Sequence, residues 1–219
     1  MSGTPWDEDA LAAARLRSLA RIVRAVGHDA RGALGTVTLH GTLLVKALEA
    51  DAAPPGERTR RWASGMHEGC VRLERLLDAV LGFLAVPRGG DAVLAPVTAS
   101  LVTLVRPYAL AQRVGLIVHD GVAQGPAVPE VVRQVLLDVV LAAIEAAGEG
   151  GEVTVATATA GGRGSVTVTG PSPPGDLASQ LRPWRAALAE AGTMVEVAAG
   201  GGFAVTVDIS PRDTQETRC

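Results

Sequence analysis

Residues 23–37, VRAVGHDARGALGTV, place a histidine beside an aspartate in the middle of a long segment without proline. From about residue 7 to residue 50, apolar residues recur at spacings of three, four or seven, which predicts one continuous helix about 65 Å long. The residues at helical spacing from His28 are instead basic or small, so we expect its imidazole to face solvent. The apolar stripe consists of Ala12, Leu16, Leu19, Val23, Val26, Ala30, Ala33, Val37, Leu44 and Leu48.

A second apolar stripe follows the turn ADAAPPGER at residues 50–58. Its members alternate at spacings of four and three, as in a heptad seam. They are Trp62, Met66, Gly69, Leu73, Leu76, Val80 and Phe83. Two long helices joined by a short loop predict an antiparallel hairpin. A hairpin cannot bury a full stripe against one partner helix, so we expect a homodimer whose hairpins form a four-helix bundle.

The segment AVPRGGD at residues 85–91 marks a boundary, after which the pattern changes. Helices are predicted within 101–112, 128–151 and 181–192, and strands within 114–120, 152–160, 164–170, 193–199 and 203–210. Glycine-rich turns at 160–164 and 199–202 predict two β-hairpins. The expected fold is therefore α plus α+β. A helical hairpin domain spans residues 7–86, and an α/β sandwich spans residues 91–210.

Composition narrows the function classes. The formal net charge is −3 and aromatic residues make up 3%, which gives no electrostatic or stacking reason to expect nucleic acid or a membrane surface as partner. Cys70 and Cys219 form no disulfide framework, which suits a reducing compartment. The acidic N-terminus does not resemble a secretory signal, and no apolar run approaches the ~20 residues of a membrane helix. We expect a cytoplasmic protein.

Three glycines surround His28 in the predicted helix. Gly27, Gly32 and Gly35 each cost about 1 kcal/mol of helix stability relative to alanine. One reason to keep them is steric, because they would leave room for another molecule to approach the imidazole. The opposing interpretation is that a solvent-exposed histidine on a charged helix face has no function.

The charged neighbours of His28 suggest a nucleophilic role. The Asp29 carboxylate could accept the Nδ1 proton, which would fix the tautomer and leave Nε2 as the nucleophile. Consecutive helical residues do not face each other, which weighs against that contact. Arg24 and Arg31 would favour an incoming phosphoryl group.

The other three histidines give less reason for a chemical role. His40 lies on the apolar stripe and is expected to pack in the core, whereas His67 and His119 have no partner that suggests chemistry. No pair of candidate ligands has the spacing of a metal site, so no metal or cofactor is expected.

Residues 27–44, GHDARGALGTVTLHGTLL, resemble the H-box of bacterial sensor histidine kinases. Four residues match the H-box pattern, namely His28, Asp29, Arg31 and Leu34. Gly32 and Ala33 depart from the usual threonine or asparagine and proline. Residues 72–86 look like the second dimerisation helix of these kinases, and residues 133–157 look like the N-box helix and the following strand of their ATP-binding domain. The resemblance covers about residues 15–210.

The departures from the kinase pattern fall on the ATP site. The N-box asparagine that holds Mg²⁺ in the kinases corresponds to Ala142, which has no side-chain oxygen for a hard cation. The aspartate that reads adenine corresponds to Gly170, within GPSPPGD at residues 170–176. Only a short stretch separates Gly170 from the next helix, so the ATP lid is expected to be missing.

This combination resembles the ChpT-like histidine phosphotransferases, which keep the acceptor histidine on a dimeric bundle and carry an ATPase-like domain that binds no nucleotide. The resemblance implies that His28 relays a phosphoryl group between response-regulator receiver domains, with Mg²⁺ supplied by the receiver only. It also implies that Arg24, Gly27, Gly32 and Gly35 contribute to receiver docking. Because Gly32 cannot orient a water, we expect little phosphatase activity of the kinase type.

Two alternatives stay open at this point. The chain could be a dimeric adaptor that docks and sequesters a response regulator or a kinase without phosphoryl chemistry. It could also be an ATP-dependent kinase whose nucleotide contacts differ from the known pattern.

Overall fold

The structure is a computed structural model. It describes residues 8–49, 56–84, 92–121, 125–172, 175, 177–199 and 203–209, and the helical hairpin comes first in the chain. Helix α1 spans Glu8–Glu49 and helix α2 spans Glu57–Leu84. The two long helices predicted from the apolar stripes are therefore confirmed. The stripe on α2 faces inward, with Gly69, Leu76 and Phe83 buried.

The two helices approach each other most closely around Gly69. A Cβ atom at this position would lie 2.7 Å from Val37 Cγ2 and 3.1 Å from the carbonyl oxygen of Ala33. No side chain fits there without moving α1, so the glycine sets the spacing of the hairpin. His40 packs in the same way against Gly65 and is half-buried, in the packing role that its place on the stripe predicts.

The stripe on α1 is divided between two environments. Leu16, Val23 and Leu48 are 67%, 64% and 74% exposed, although the periodicity groups them with the core positions. The face of α1 that packs on the rest of the chain instead carries Ala14 and Ile22. Helix α1 is longer than α2, so its N-terminal half lies against the α/β part and turns a different face inward. The outer part of the stripe has no covering element among the described residues.

The α/β part contains a five-stranded sheet in the order β2-β4-β5-β7-β6. Strand β2 is parallel to β4, and the other neighbours are antiparallel. The elements in chain order are β1 Ala92–Val93, α3 Leu94–Ala111, β2 Gly115–Asp120, β3 Ala127–Val128, α4 Glu130–Ala147, β4 Glu152–Ala160, β5 Arg163–Gly170, α5 Leu177–Leu181, a 3₁₀ turn Arg182–Trp184, α6 Arg185–Glu190, β6 Thr193–Ala199 and β7 Phe203–Ile209.

All five strands predicted from sequence are present, with bounds within one residue or two. The short ladder of β1 with β3 and the helix α5 were not predicted. The predicted turn at 199–202 joins β6 to β7, but residues 200–202 lie outside the described part of the chain, as do residue 7, residue 50, Cys219 and the segment 85–91.

One face of the sheet packs on the helices. Val166 and Val168 of β5 and Val205 and Val207 of β7 point into the core, while the residues between them are half-buried. Helix α4 lies against this face and is buried from Val132 to Ile144. This arrangement confirms the predicted α/β layer, in which helices cover one side of a mostly antiparallel sheet.

A single hydrophobic cluster extends from the sheet into the hairpin. It joins the core of the α/β part to Ala14 and Ile22 of α1 and to Ala79 and Phe83 of α2. The division into segments 7–86 and 91–210 stays a prediction from sequence. The shared cluster means that the two segments bury apolar surface against each other.

Helix α3 is, within the described residues, long and apolar enough to cross a membrane by length and composition. In this fold it is a core helix, since Leu101, Leu104 and Val105 are at most 1% exposed and pack in the shared cluster. The cytoplasmic location expected from the sequence stays a prediction.

Candidate functional site

His28 lies on the exposed surface of α1, as its place on the helix predicts. It lines a groove of about 490 Å³ between α1 and the last turn of α3. On the α3 side the groove includes Pro107 and Leu110, and Leu110 is 64% exposed. The imidazole is therefore accessible from solvent, yet it has a wall of the α/β part beside it.

The glycines near His28 face different surroundings. A Cβ atom added to Gly32 or Gly35 would meet nothing within 4 Å, and both positions are exposed. A Cβ atom on Gly27 would lie 4.0 Å from a guanidinium nitrogen of Arg31. The fold of the single chain thus does not require glycine at these three positions. That leaves clearance for another molecule as a reason for them, which stays a hypothesis.

Asp29 is engaged by a residue that the sequence did not point to. Arg72 of α2 donates from Nε to Asp29 Oδ2 at 3.1 Å and from Nη2 to Asp29 Oδ1. The Asp29 side chain is 18% exposed and that of Arg72 is 57% exposed. Within the described part of the chain no hydrogen bond joins Asp29 to His28. The structure therefore brings the predicted carboxylate to α2 rather than to the imidazole.

The cations around the groove differ in their pairing. Arg24 and Arg31 are exposed and form no ion pair with any carboxylate in the ranges described. Arg21 lines the groove together with Arg24, and its Nε lies 3.4 Å from Glu145 Oε1 of α4. The free guanidinium groups can attract an anionic group that approaches His28.

Tyr108 forms the wall of the groove opposite α1. Its hydroxyl donates to Glu145 Oε1 at 2.8 Å. Burial, followed by this hydrogen bond and the charge of Glu145, raises the pKa of Tyr108 to about 12, although Arg21 lowers it slightly. The phenol is therefore neutral at physiological pH, and the Arg21–Glu145–Tyr108 network ties α1, α4 and α3 together beside His28.

A buried carboxylate holds the hairpin to the α/β part farther along α1. Asp138 of α4 is 4% exposed and accepts hydrogen bonds from Ser18 Oγ of α1 and from Trp184 Nε1 at 2.8 Å. Burial raises the pKa of Asp138, and the two donors together with Arg17 and Arg21 offset part of that rise. We call this group the Asp138 clasp. A lone acidic residue inside the apolar run VLLDVVLAA was the signal that could have found it.

Ala142 and Gly170, the two positions compared from sequence with the kinase ATP site, have apolar surroundings. Ala142 is 2% exposed within α4. Gly170 ends β5 under the ring of Phe203, where a Cβ atom would lie 2.5 Å from Phe203 Cε1 and 3.2 Å from Cζ. A side chain at position 170 would collide with that ring. Among the described residues, no group of three or more His, Cys, Asp or Glu side chains is placed to hold a metal ion.

Comparisons with known proteins add the following findings. The chain matches no family model, and no curated protein matches it. Among solved structures it is similar to a bacterial phosphotransferase, with 15% identity and a TM-score of 0.45 over 88% of this chain and 96% of that one. It is similar to the histidine kinase AdeS of Acinetobacter baumannii, with 12% identity and a TM-score of 0.48 over 81% and 96%.

A third similar structure is the histidine kinase ThkA, solved in complex with the response regulator protein TrrA. The identity is 18% and the TM-score 0.48, over 89% of this chain and 62% of that one. These neighbours are thus histidine kinases and a phosphotransferase.

Proposed function

We propose that this chain is a histidine phosphotransfer protein that relays a phosphoryl group between receiver domains of response regulators through His28, without using ATP. The observation that carries the proposal is the placement of His28. Its imidazole is exposed on a long helix, borders an open groove, and lies near the unpaired guanidinium group of Arg24. The open positions Gly32 and Gly35 leave space on the same helix for a docked receiver.

The transfer is a displacement at phosphorus. His28 Nε2 attacks the aspartyl phosphate of one receiver, so an N–P bond forms while the P–O bond to the aspartyl carboxylate breaks and the electron pair stays on that carboxylate. The reverse displacement, by an aspartate of a second receiver, returns the imidazole to its starting state. Mg²⁺ is supplied by the receiver, and Arg24 and Arg31 attract the negatively charged group.

The ATP-site departures support a relay over a kinase. Ala142 offers no oxygen to a metal ion, and the ring of Phe203 occupies the space that a side chain at position 170 would need. Strand β5 ends at Gly170 and α5 begins at Leu177. This short connection supports the expectation that the ATP lid is missing. Gly32 has no side chain to orient a water, so we also propose that the protein has little phosphatase activity toward receivers.

The exposed part of the α1 stripe supports a homodimer as the working form. Leu16, Val23 and Leu48 are exposed and project within about 40° of one another around the helix, so they lie along one side of it. His28 projects about 120° around the helix from Leu16. A second copy of this chain could therefore cover the stripe in a four-helix bundle while both imidazoles stay accessible. Light scattering in solution should give twice the 22.4 kDa of one chain.

The decisive experiment is transfer from receivers that carry a labelled aspartyl phosphate. The wild-type protein should take up label that is acid-labile and base-stable, the behaviour of a phosphohistidine. His28→Gln should take up none while it still binds the receiver. The matched control is His119→Gln, which removes another exposed histidine, on β2, and should be labelled like wild type. Label on His28→Gln would overturn the proposal.

The adaptor is the second candidate, and the Asp29–Arg72 pair favours it. The imidazole of His28 would be a weak nucleophile if it needs help from the Asp29 carboxylate, because that carboxylate is paired with Arg72. An adaptor would bind receivers with equal affinity in wild type and His28→Gln, and neither protein would carry label. Binding of an ATP analogue with micromolar affinity would contradict both candidates and favour a kinase.

A further inference from the structure

The Asp29–Arg72 ion pair crosses the hairpin next to His28 and has no part in the transfer step described above. Both carboxylate oxygens of Asp29 accept hydrogen bonds from one guanidinium group. This bidentate geometry fixes the orientation of the carboxylate and also neutralises its charge. The carboxylate is largely buried at the contact of α1 with α2. It is therefore held, rather than free to rotate toward its neighbour in sequence.

The pair also separates the two side chains around the helix. Consecutive residues project about 100° apart. Both His28 and Asp29 border the groove beside the end of α3, but the carboxylate of Asp29 is bonded to Arg72 of α2. A phosphoryl group that reaches His28 Nε2 carries negative charge, and the Asp29 carboxylate belongs to the next residue of the helix and borders the same groove. An unpaired carboxylate at that place would repel the phosphoryl group.

We infer that Arg72 is a positioning residue for phosphoryl transfer at His28, because it turns Asp29 away from the imidazole and neutralises its charge. This inference rests on the proposed function. In the step itself the N–P bond forms, the P–O bond breaks and the electron pair stays on the receiver carboxylate. Asp29 neither takes nor gives a proton. The role expected for Asp29 from the sequence alone is the opposite one, a direct contact with His28.

A double-mutant cycle separates the two roles. If Arg72 neutralises Asp29, Arg72→Gln should slow transfer about tenfold, the order expected for one unscreened charge near the reacting group. Asp29→Asn should stay within about twofold of wild type. The double variant should recover the rate of Asp29→Asn, because the repelling charge is gone. If Asp29 instead assists His28, Asp29→Asn will be slow and the double variant will be no faster, which overturns the inference.

Two further readouts separate positioning from a general loss of structure. The defect of Arg72→Gln should shrink as ionic strength rises, since salt screens the repulsion, whereas a loosened hairpin would not recover with salt. Arg72→Lys, which restores the charge without the two-pronged geometry, should recover part of the rate. The matched control is Arg61→Gln, which breaks the exposed Arg61–Glu57 pair within α2 and should leave the rate unchanged.

A small phosphoryl donor keeps this test independent of the receivers. Phosphoramidate can phosphorylate an exposed histidine directly, forming the N–P bond with release of ammonia. The same order of the four rates is expected with this donor. If phosphoramidate labels His28 in that order but no receiver does, the relay fails and the role of Arg72 stands. Equal rates in wild type and Arg72→Gln would overturn the role of Arg72 and leave the relay intact. No label from either donor would overturn both.

Discussion

The Asp138 clasp makes a prediction about stability that two substitutions at one position can test. Asp138→Ala removes the acceptor of the Trp184 indole N–H. Trp184 is 3% exposed, so this N–H group would be left buried without a partner. That costs about 1–3 kcal/mol. The space left by the carboxyl group adds about 1 kcal/mol. Alanine also avoids the cost of an ionised group in the core, which offsets part of this sum and leaves a net loss of about 2–3 kcal/mol. The Ser18 hydroxyl keeps a hydrogen-bond acceptor in Asp138→Ala, because it also lies 3.2 Å from the Ala14 carbonyl oxygen.

Asp138→Asn should behave differently, since an amide can satisfy both neighbours. Its Oδ1 would accept from Trp184, and its Nδ2 would donate to Ser18 Oγ, whose own hydrogen would turn to the Ala14 carbonyl oxygen. The amide also avoids the cost of an ionised group in the core. We expect Asp138→Ala to lose about 2–3 kcal/mol of unfolding free energy and Asp138→Asn to stay within about 1 kcal/mol of wild type at neutral pH.

The pH dependence follows from the raised pKa of Asp138. Between the ordinary value and the raised one, the folded protein holds a proton that the unfolded chain has lost. The unfolding free energy of the wild type therefore falls as pH rises through that interval, and Asp138→Asn lacks this loss. Relative to Asp138→Asn, wild type should be most stable at and below the ordinary aspartate pKa of about 4 and should weaken as the pH rises through the raised pKa.

Urea unfolding followed by circular dichroism and tryptophan fluorescence measures these differences at each pH. A net loss of 2–3 kcal/mol corresponds to about 4–12 °C in Tm for a chain of this size. If Asp138→Asn were as unstable as Asp138→Ala at every pH, the charge itself would be what the clasp needs, and the reasoning from burial would be wrong. An unchanged Asp138→Ala would remove the clasp as a stabilising contact.

Two further predictions concern the hairpin and its groove. Gly69→Ala should destabilise the protein by about 1–3 kcal/mol, because its Cβ atom would meet Val37. Gly32→Ala adds a Cβ atom that meets nothing, so it should stabilise the helix by up to ~1 kcal/mol. Thermal unfolding measures both changes, and equal shifts in Tm would contradict the spacing role of Gly69. If Gly32 provides clearance, the more stable Gly32→Ala should also accept phosphoryl groups from receivers more slowly. Tyr108 is the single tyrosine of the chain, so ultraviolet titration should give a midpoint near pH 12 that falls in Glu145→Gln, and stability should drop as pH rises from 10 toward 12. A midpoint near 10 would mean that the phenol is neither buried nor hydrogen-bonded to Glu145.

The sequence was sufficient to predict the elements with long, regular patterns. Strand β5 alternates Val166 and Val168 inward with polar residues between them, and α1 repeats apolar residues over 42 positions. Such patterns are local, so each element can be predicted without knowledge of its partners. The exposure of His28 also follows from local spacing, because every neighbour on its face of the helix is basic or small.

Contacts between distant residues could not be predicted in the same way. The Asp29–Arg72 pair joins residues 43 positions apart, and Ser18 lies 120 positions from Asp138. Each contact depends on the register of the hairpin or on how the hairpin lies against α4, which no local pattern determines. The same limit explains why the exposure of Leu16 and Val23 was not predicted, since helical periodicity identifies an apolar face but not the element that covers it.

The hydrophobic cluster that runs from the sheet into the hairpin has a consequence for dissecting the molecule. Cutting the chain between α2 and β1 would leave Phe83 on one fragment and Leu101 on the other, each without the apolar surface that now surrounds it. Both fragments would expose apolar surface to water and would tend to aggregate. Only coexpression of the two fragments, which lets them reassemble, should then yield soluble, folded protein.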